Sequence, residues 1–167
     1  MTAQFFMLAL VFGMMIAEWR VSLKNEGRLD ALGATTPPES QYPLMAVTYP
    51  LAFLAMGAEA WWRSTGLGPW FLSGVVLLIG AKAFKFWAIA SLGERWTFRV
   101  RVLKGSGLVT SGPYQYVAHP NYVAVAGELV ATALMMGAII SGPVMTALFG
   151  VLMWRRVRFE ERALAER

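Results

Sequence analysis

The sequence predicts an all-α integral membrane protein, a helical bundle of about five transmembrane helices with a C-terminal helical hairpin. Three observations predict it. Of the 167 residues, 57% are hydrophobic and only 15% are charged, whereas about 25% are charged in soluble domains. The apolar residues form runs close to the length of about 20 residues that crosses a bilayer. Basic residues alternate between abundant and scarce in the connecting segments, which is typical of a chain that crosses a membrane repeatedly.

The first three helices are predicted from long, mostly apolar runs. Residues 3–17 form the first. We interpret it as a retained helix and not a signal peptide, because no basic residue precedes it and Glu18-Trp19-Arg20 stands where a small-residue cleavage site would be. Residues 44–62 form the second and residues 69–92 the third, which begins with a proline, as a first helical turn permits.

The C-terminal hairpin is predicted from one apolar segment that is too long for a single crossing. Residues 121–154 are interrupted by Ser141-Gly142-Pro143, so they are expected to form a fourth and a fifth helix. The part from 144 to 154 would measure only about 16 Å at 1.5 Å per residue. The hairpin is therefore expected either to be re-entrant or to extend into the charged tail.

The distribution of basic residues predicts the orientation. The segments 20–43 and 93–120 contain three and four Lys or Arg, the tail 155–167 contains five, the second loop has one and the hairpin tip none. Because cytoplasmic segments collect Lys and Arg, the N-terminus is expected outside and the C-terminus in the cytoplasm. The small size and compact loops suggest a bacterial inner (plasma) membrane. The net charge of +5 then flanks membrane helices, which argues against a nucleic-acid partner.

The composition also excludes several kinds of chemistry. The chain has no cysteine and a single histidine, His119. Disulfides, thiolate nucleophiles, Cys-ligated zinc, iron–sulfur clusters and multi-histidine metal sites are thereby excluded, and no metal is expected. No internal repeat or low-complexity segment divides the sequence, so residues 1–167 are predicted to form a single membrane-embedded domain.

The segment between the third and fourth predicted helices is rich in glycine, proline and aromatic residues. Such a loop permits close backbone approach and offers flat stacking surfaces, which suits a heteroaromatic ligand. A structural interpretation is also open, in which the Tyr and Trp side chains form an interfacial belt and His119-Pro120 begins the next helix.

Two motifs in this part of the chain resemble those of a known family. GPYQYVAHPNY, which follows LGERWTFRVRVLKGSGLVTS, resembles the GPYRYxRHPxY signature of the isoprenylcysteine carboxyl methyltransferase family, and RVRFEERAL at 156–164 resembles its RIxxEExxL pattern. The resemblance covers about residues 92–164 and places the cofactor-binding part at about 92–167. Ala118 replaces the arginine that usually precedes His-Pro, so the contacts of that arginine are either lost or supplied elsewhere, by Arg95, Arg99 or Arg101.

The resemblance implies S-adenosyl-L-methionine as cofactor and S-adenosyl-L-homocysteine as product. His119 can bond a carboxylate or an adenine edge, Glu160 or Glu161 the ribose hydroxyls or the ammonium group, and Tyr114, Tyr116 or Tyr122 can stack on adenine or face the sulfonium. The loop and the tail would close over the cofactor from the cytoplasmic side, with the methyl group towards a lipid-accessible cavity. The expected cofactor-binding residues are Val109, Gly112, Tyr114, His119, Pro120, Tyr122, Glu160 and Glu161.

The predicted activity is methyl transfer to a lipid-like acceptor, either a carboxylate or a phenolic hydroxyl. The partners implied are membrane lipids and a lipophilic or lipidated substrate, and the oligomeric state is left open. Glu128, His119 and Arg156 are the candidate catalytic residues, and the sequence assigns the role of base to none of them. Two alternatives remain, a phospholipid or amine N-methyltransferase and a non-enzymatic membrane interaction or transport protein.

Charges within the apolar segments need an explanation, because an ionisable group at mid-bilayer costs at least about 2.5–3.5 kcal/mol. Lys82 and Lys85 lie three residues apart on one face of the third helix, and a pair of either with Glu128 is expected. Structural pairing and a role in the substrate cavity are both open. Glu18 and Glu59 lie near predicted helix ends and are expected to be interfacial.

The charged tail also has a simpler interpretation. On a helix, Arg156 and Glu160 are four residues apart and Arg158 and Glu161 three, so they can form surface ion pairs worth about 0.2–0.5 kcal/mol each. The pairing of the tail with the loop motif favours the cofactor role for Arg156, Glu160 and Glu161.

Overall fold

A computed structural model describes residues 2–38 and 41–165. Arg167, one of the five tail arginines, lies outside this part, as does the side chain of Leu164 at the end of the tail motif. The described residues form an all-helical bundle, as predicted, and their only β-structure is an isolated bridge between Thr35 and Val102. The helices are α1 (Thr2–Ala31), α2 (Gln41–Trp62), α3 (Phe71–Leu92), α4 (Pro120–Met136) and α5 (Ser141–Ala165), with short 3-10 turns at Gly93–Arg95 and Gly112–Gln115.

Three helical segments of the described part are long and apolar enough to cross a membrane, namely Thr2–Ala31, Gln41–Trp62 and Phe71–Arg95. The hairpin is formed by α4 with 17 residues and α5 with 25, or about 25 Å and 37 Å at 1.5 Å per residue. Helix α5 therefore continues through its charged half, which was one of the two possibilities left by the sequence.

Helix α1 is longer than its apolar run. It continues from residue 17 to Ala31, so half of the predicted first loop is helical. Residues 18–31 contain no proline and are rich in helix-forming residues, whereas an apolar run reports only the part of a helix inside the bilayer. The helix ends before Gly33, whose φ of +79° suits a left-handed cap.

The α3–α4 interface is the most extensive helix pair of the bundle. Gly74 of α3 lies where a Cβ atom would be 2.7 Å from the carbonyl oxygen of Ala131 in α4. Small residues allow membrane helices to approach this closely. The core beside this contact is filled by large side chains that are fully buried, among them Phe53, Met56, Leu129, Met135 and Met136.

Glu59 fixes the turn of the hairpin. Its carboxylate accepts hydrogen bonds from the backbone N–H groups of Ile140 (3.1 Å) and Ser141 (2.6 Å) and from the Ser141 hydroxyl (2.6 Å). Arg63 pairs with it at 3.2 Å. Glu59 lies near the end of α2, as expected, but it is buried and caps the start of α5, where the helix leaves N–H groups unpaired.

Candidate functional site

All five helices and the 93–119 loop surround one cavity of about 1030 Å³. Pockets for a single small ligand measure about 300–1000 Å³, so this cavity has room for a cofactor together with part of a second molecule. One end lies among apolar side chains of the helices, including Phe12, Met15, Met45 and Phe149. The other end is formed by the loop, the start of α4 and the charged half of α5.

The C-terminal half of α1 holds the loop in place. The Asn25 side chain donates to the carbonyl oxygens of Gly93 (3.2 Å) and Trp96 (2.8 Å), and the Ser22 hydroxyl accepts from the Phe98 N–H at 2.7 Å. Thr35 exchanges two backbone hydrogen bonds of 2.9 Å with Val102. The helical extension that the apolar pattern did not reveal is therefore the support of one cavity wall.

Two pairs of side chains join the loop motif (residues 112–122) to the tail motif (residues 156–164). Nε2 of His119 lies 3.3 Å from Oε1 of Glu161, and the Tyr122 hydroxyl donates to Oε2 of Glu160 at 3.0 Å. His119 is the N-cap of α4 and Pro120 its first residue, which places Tyr122 in the first turn. These contacts join the start of α4 to the last turns of α5 across about 40 residues of sequence.

Tyr114 contributes a neutral hydroxyl to the same wall. Burial raises the pKa of its phenol, and the nearby Glu160 carboxylate raises that pKa further. The phenol therefore stays protonated at neutral pH and can donate a hydrogen bond to a ligand.

Arginine side chains line the cavity where the loop faces α5. Arg156 is 4% exposed, donates to the carbonyl oxygen of Phe98 at 2.5 Å and lies 5.7 Å from the centre of the Tyr42 ring. Arg99 lies 5.1 Å from the same ring. Sequence reasoning missed Tyr42, because an isolated tyrosine at the start of a helix gives no signal of its own.

Arg95, Arg99 and Arg101 were considered as substitutes for the arginine that is missing at position 118. All three line the cavity. Arg101 is paired with Glu26 at 3.3 Å and with Asp30. Arg95 donates to the carbonyl oxygen of Gly107 at 2.8 Å. Since Arg101 already has two carboxylate partners, Arg95 and Arg99 are the better placed to meet an anionic group.

The structure places the predicted cofactor-binding residues in two groups. Gly112 and Tyr116 are outside the described cavity lining; Tyr116 is 75% exposed, with its ring 6.5 Å from that of Trp87. The predicted residues that line the cavity are Val109, Tyr114, His119, Pro120, Tyr122, Glu160 and Glu161.

Gly112 instead allows the loop to turn behind the cavity wall. Its φ is +62°, and a Cβ atom there would lie 2.0 Å from Oγ of Ser91. We expect Gly112→Ala to lower the thermal unfolding temperature in detergent and to cost more than the about 1–2 kcal/mol of a left-handed alanine. Gly105→Ala is the control, because Gly105 has a φ of +75° and open space around it. Equal shifts for the two variants would show that the contact with Ser91 has no effect.

A cluster of four buried charges lies at the apolar end of the cavity. Glu18 contacts Lys82 at 2.7 Å and Lys85 at 2.6 Å, and Glu128 contacts them at 2.8 Å and 3.1 Å. The Tyr49 hydroxyl donates to Glu128 at 2.8 Å. The expected pairing of Glu128 with a lysine is confirmed for both lysines.

The expectation that Glu18 lies near a helix end is wrong. Because α1 extends a further 13 residues to Ala31, Glu18 lies in the middle of a helix and faces α3. Within the cluster, Glu18, Lys85 and Tyr49 line the cavity, whereas Lys82 and Glu128 do not belong to its described lining. No signal in the sequence pointed to Glu18, because residues 3–17, 44–62, 69–92 and 121–154 already contain two acidic and two basic residues without it. In residues 2–38 and 41–165 no group of His, Cys, Asp and Glu is arranged to hold a metal ion.

Comparison with known proteins identifies relatives of this chain. The model of the isoprenylcysteine carboxyl methyltransferase family matches residues 74–166. The chain is 30% identical over 160 residues to the uncharacterized protein YpbQ of Bacillus subtilis, covering 96% of this chain and 95% of that protein. It is 26% identical over 146 residues to an uncharacterized protein of Haemophilus influenzae, covering 87% and 85%. No solved structure matches the chain.

Proposed function

The chain belongs to the isoprenylcysteine carboxyl methyltransferase family, and from that premise we propose that it transfers a methyl group from S-adenosyl-L-methionine to an oxygen atom of a lipid-like acceptor. One observation carries the proposal. The two motifs shared with the family meet at one end of a cavity whose other end lies among apolar helices. A polar cofactor and an apolar acceptor can therefore reach a common space from different sides.

The residues present fit the cofactor. Glu160 and Glu161 can accept hydrogen bonds from ribose hydroxyls or an ammonium group, and His119 can bond a carboxylate or an adenine edge. Tyr114 and Tyr122 offer ring faces to adenine or to the sulfonium. When bound, the sulfonium supplies an electrophilic methyl group, which the acceptor oxygen takes as the carbon–sulfur bond breaks.

The protein's own contribution is alignment and exclusion of water. A carboxylate acceptor is ionised near neutral pH and needs no base, whereas a phenol, with a pKa of about 10, must give up its proton. Of the candidate catalytic residues, His119 and Arg156 line the cavity and Glu128 lies behind Lys85. Glu18 also lines the cavity beside Lys85, and the sequence did not identify it as a candidate.

The proposal includes the placement of the protein. Residues 1–167 act as one domain in a bacterial inner membrane, with the N-terminus outside and the C-terminus in the cytoplasm, where the cofactor is available. The distribution of basic residues supports this orientation.

Calorimetry with S-adenosyl-L-methionine on the purified protein tests the proposed function. We expect Glu161→Ala and His119→Ala each to weaken binding by about tenfold or more, as the loss of a hydrogen bond to a charged group does. Arg155→Ala is the control, because Arg155 is exposed and outside the lining of this cavity. Absence of binding by the folded wild type would refute the methyltransferase function, and normal binding by both variants would refute the site.

Radiolabelled methyl transfer into a lipid extract of the source cell then identifies the type of product. A base-labile methyl group indicates an ester and a base-stable one an ether or an amine. Mass spectrometry of the labelled product distinguishes those two, so N-methylation is one of the outcomes that would contradict the proposal.

A further inference from the structure

The buried charge cluster consists of two ion pairs in different positions. We call Glu18 with Lys85 the outer pair, because both residues line the cavity, and Glu128 with Lys82 the inner pair, because neither belongs to its described lining. The shortest contact within the outer pair is 2.6 Å and within the inner pair 2.8 Å. Each pair is neutral by itself, so either can be removed without leaving the other unbalanced.

Stability alone does not explain the outer pair. Ionisable groups in a bilayer are costly, and a buried ion pair can often be replaced by hydrophobic residues at no loss of stability. Intramembrane charges are retained mainly where they mark a pathway or a binding site. The inner pair and the Tyr49 hydroxyl connect α2, α3 and α4 through Glu128, whereas both residues of the outer pair line the cavity.

Lys85 has a hydrogen-bond donor to spare for a ligand. An ammonium group has three donors, and Lys85 is paired with two carboxylate oxygens, Oε2 of Glu18 and Oε1 of Glu128. Its Nζ also lies 5.9 Å from the centre of the Tyr49 ring, a contact weaker than a hydrogen bond to an anionic oxygen. Apolar side chains that suit a hydrocarbon chain line the same end of the cavity, among them Phe12, Met15, Met45, Val125 and Phe149.

The charge balance of the cavity favours an anion over a cation. Its lining contains five basic side chains and three acidic ones. The basic excess persists when Arg101, which is paired with Glu26 and Asp30, is set aside. The excess comes from the arginines at the loop end of the cavity, and through Coulomb attraction it makes the cavity as a whole more favourable for an anion than for a cation.

We propose that Lys85 is the acceptor-binding residue and that it donates a hydrogen bond to the anionic oxygen of an acceptor with a long apolar chain. This inference rests on the proposed function, since it takes the molecule in the apolar end of the cavity to be the methyl acceptor. The anionic oxygen is the chemistry shared by a carboxylate and an ionised phenol. Lys85 of the outer pair binds the oxygen and Glu18 holds Lys85 in position at 2.6 Å, whereas the inner pair stabilises the packing of the helices and does not contact the acceptor.

Two charge-balanced double variants of the full chain separate these roles. Glu18→Gln with Lys85→Met removes the outer pair, and Glu128→Gln with Lys82→Met removes the inner pair. Each variant leaves one Glu and one Lys in contact, at 2.8 Å and 2.6 Å respectively in the parent structure. Tryptophan fluorescence and gel filtration in detergent establish folding. If the outer-pair variant does not fold, Glu18→Gln with Lys85→Gln takes its place.

Equilibrium dialysis in detergent, without cofactor, measures binding of two acids and their methylated counterparts. The probes are palmitate against methyl palmitate and 3-pentadecylphenol against its methyl ether. We expect the wild type to bind at least one acid about tenfold more tightly than its counterpart, the inner-pair variant to keep this preference, and the outer-pair variant to bind both members within about twofold. A preference for palmitate over methyl palmitate indicates a carboxylate acceptor. A preference for 3-pentadecylphenol over its methyl ether indicates a phenolic acceptor.

Three results would overturn the inference: no preference by the wild type in either arm, a preference retained without the outer pair, or a preference lost without the inner pair. The outcome is independent of the calorimetric test of cofactor binding. If the cofactor binds and the acid preference is absent, only the role of Lys85 fails. If the acid preference is present and the cofactor does not bind, the methyltransferase function fails, and Lys85 remains an anion-binding residue.

Discussion

Replacement of Glu18 by glutamine is expected to lower the free energy of unfolding by about 3–5 kcal/mol, because it leaves a buried charge without its counterion. Glu18 is 5% exposed and contacts both lysines of α3 at 2.6–2.7 Å. In Glu18→Gln, Lys82 and Lys85 share the single carboxylate of Glu128 inside the bundle. Denaturation by SDS in mixed micelles, followed by tryptophan fluorescence, measures the loss.

The control for this prediction is the outer-pair variant, Glu18→Gln with Lys85→Met. It removes one charge of each sign, so it should recover most of the stability lost in the single variant. A single variant within about 1 kcal/mol of the wild type would contradict the assignment of Glu18 to the buried cluster.

Gly74→Ala is expected to destabilise the protein by about 1–3 kcal/mol, the usual cost of overpacking. The new Cβ atom would lie 2.7 Å from the carbonyl oxygen of Ala131 and 2.9 Å from the backbone nitrogen of Met135, and backbone atoms cannot move aside alone. Helix α3 therefore has to separate from α4. Because α3 contains Lys85 and α4 begins with the Tyr122 turn, methyl transfer should fall together with stability.

Gly80→Ala on the same helix is the matched control. Gly80 is exposed and has no atom within 4 Å of the added Cβ, so alanine should be neutral or stabilising by up to about 1 kcal/mol through its helix propensity. The same SDS denaturation compares the two variants. Similar losses for both would mean that the cost arises from helix α3 itself and not from its contact with α4.

The loop and tail motifs were accessible from sequence because each is local. GPYQYVAHPNY and RVRFEERAL are short strings whose residue types suit a polar ligand, and six of the seven expected cofactor-binding residues that they contain line the cavity. Gly112 was the exception. A glycine in a motif can allow a ligand to approach the backbone or can allow a tight turn. Only the position of the neighbouring Ser91 shows that Gly112 allows the turn.

The charged residues inside the apolar segments show where sequence reasoning stops. Lys82, Lys85 and Glu128 stood out because each is surrounded by apolar sequence, and their pairing followed from the cost of isolated charges in a bilayer. Glu18 was expected near a helix end because it stands at the end of its apolar run. Hydropathy reports the extent of the bilayer along a helix, whereas α1 continues as a helix beyond that extent.

The sequence by itself determined the all-helical membrane class, the break in the C-terminal hairpin and the family, because composition, apolar run length and motifs are properties of the chain read in order. Tertiary structure alone decided that Glu18 faces α3, that Asn25 and Ser22 support the loop, and that one ion pair faces the cavity while the other lies behind it. The rotation of each helix sets these contacts. In an apolar segment the faces that meet lipid and the faces that meet protein have similar composition, so rotation is fixed only when the helices pack.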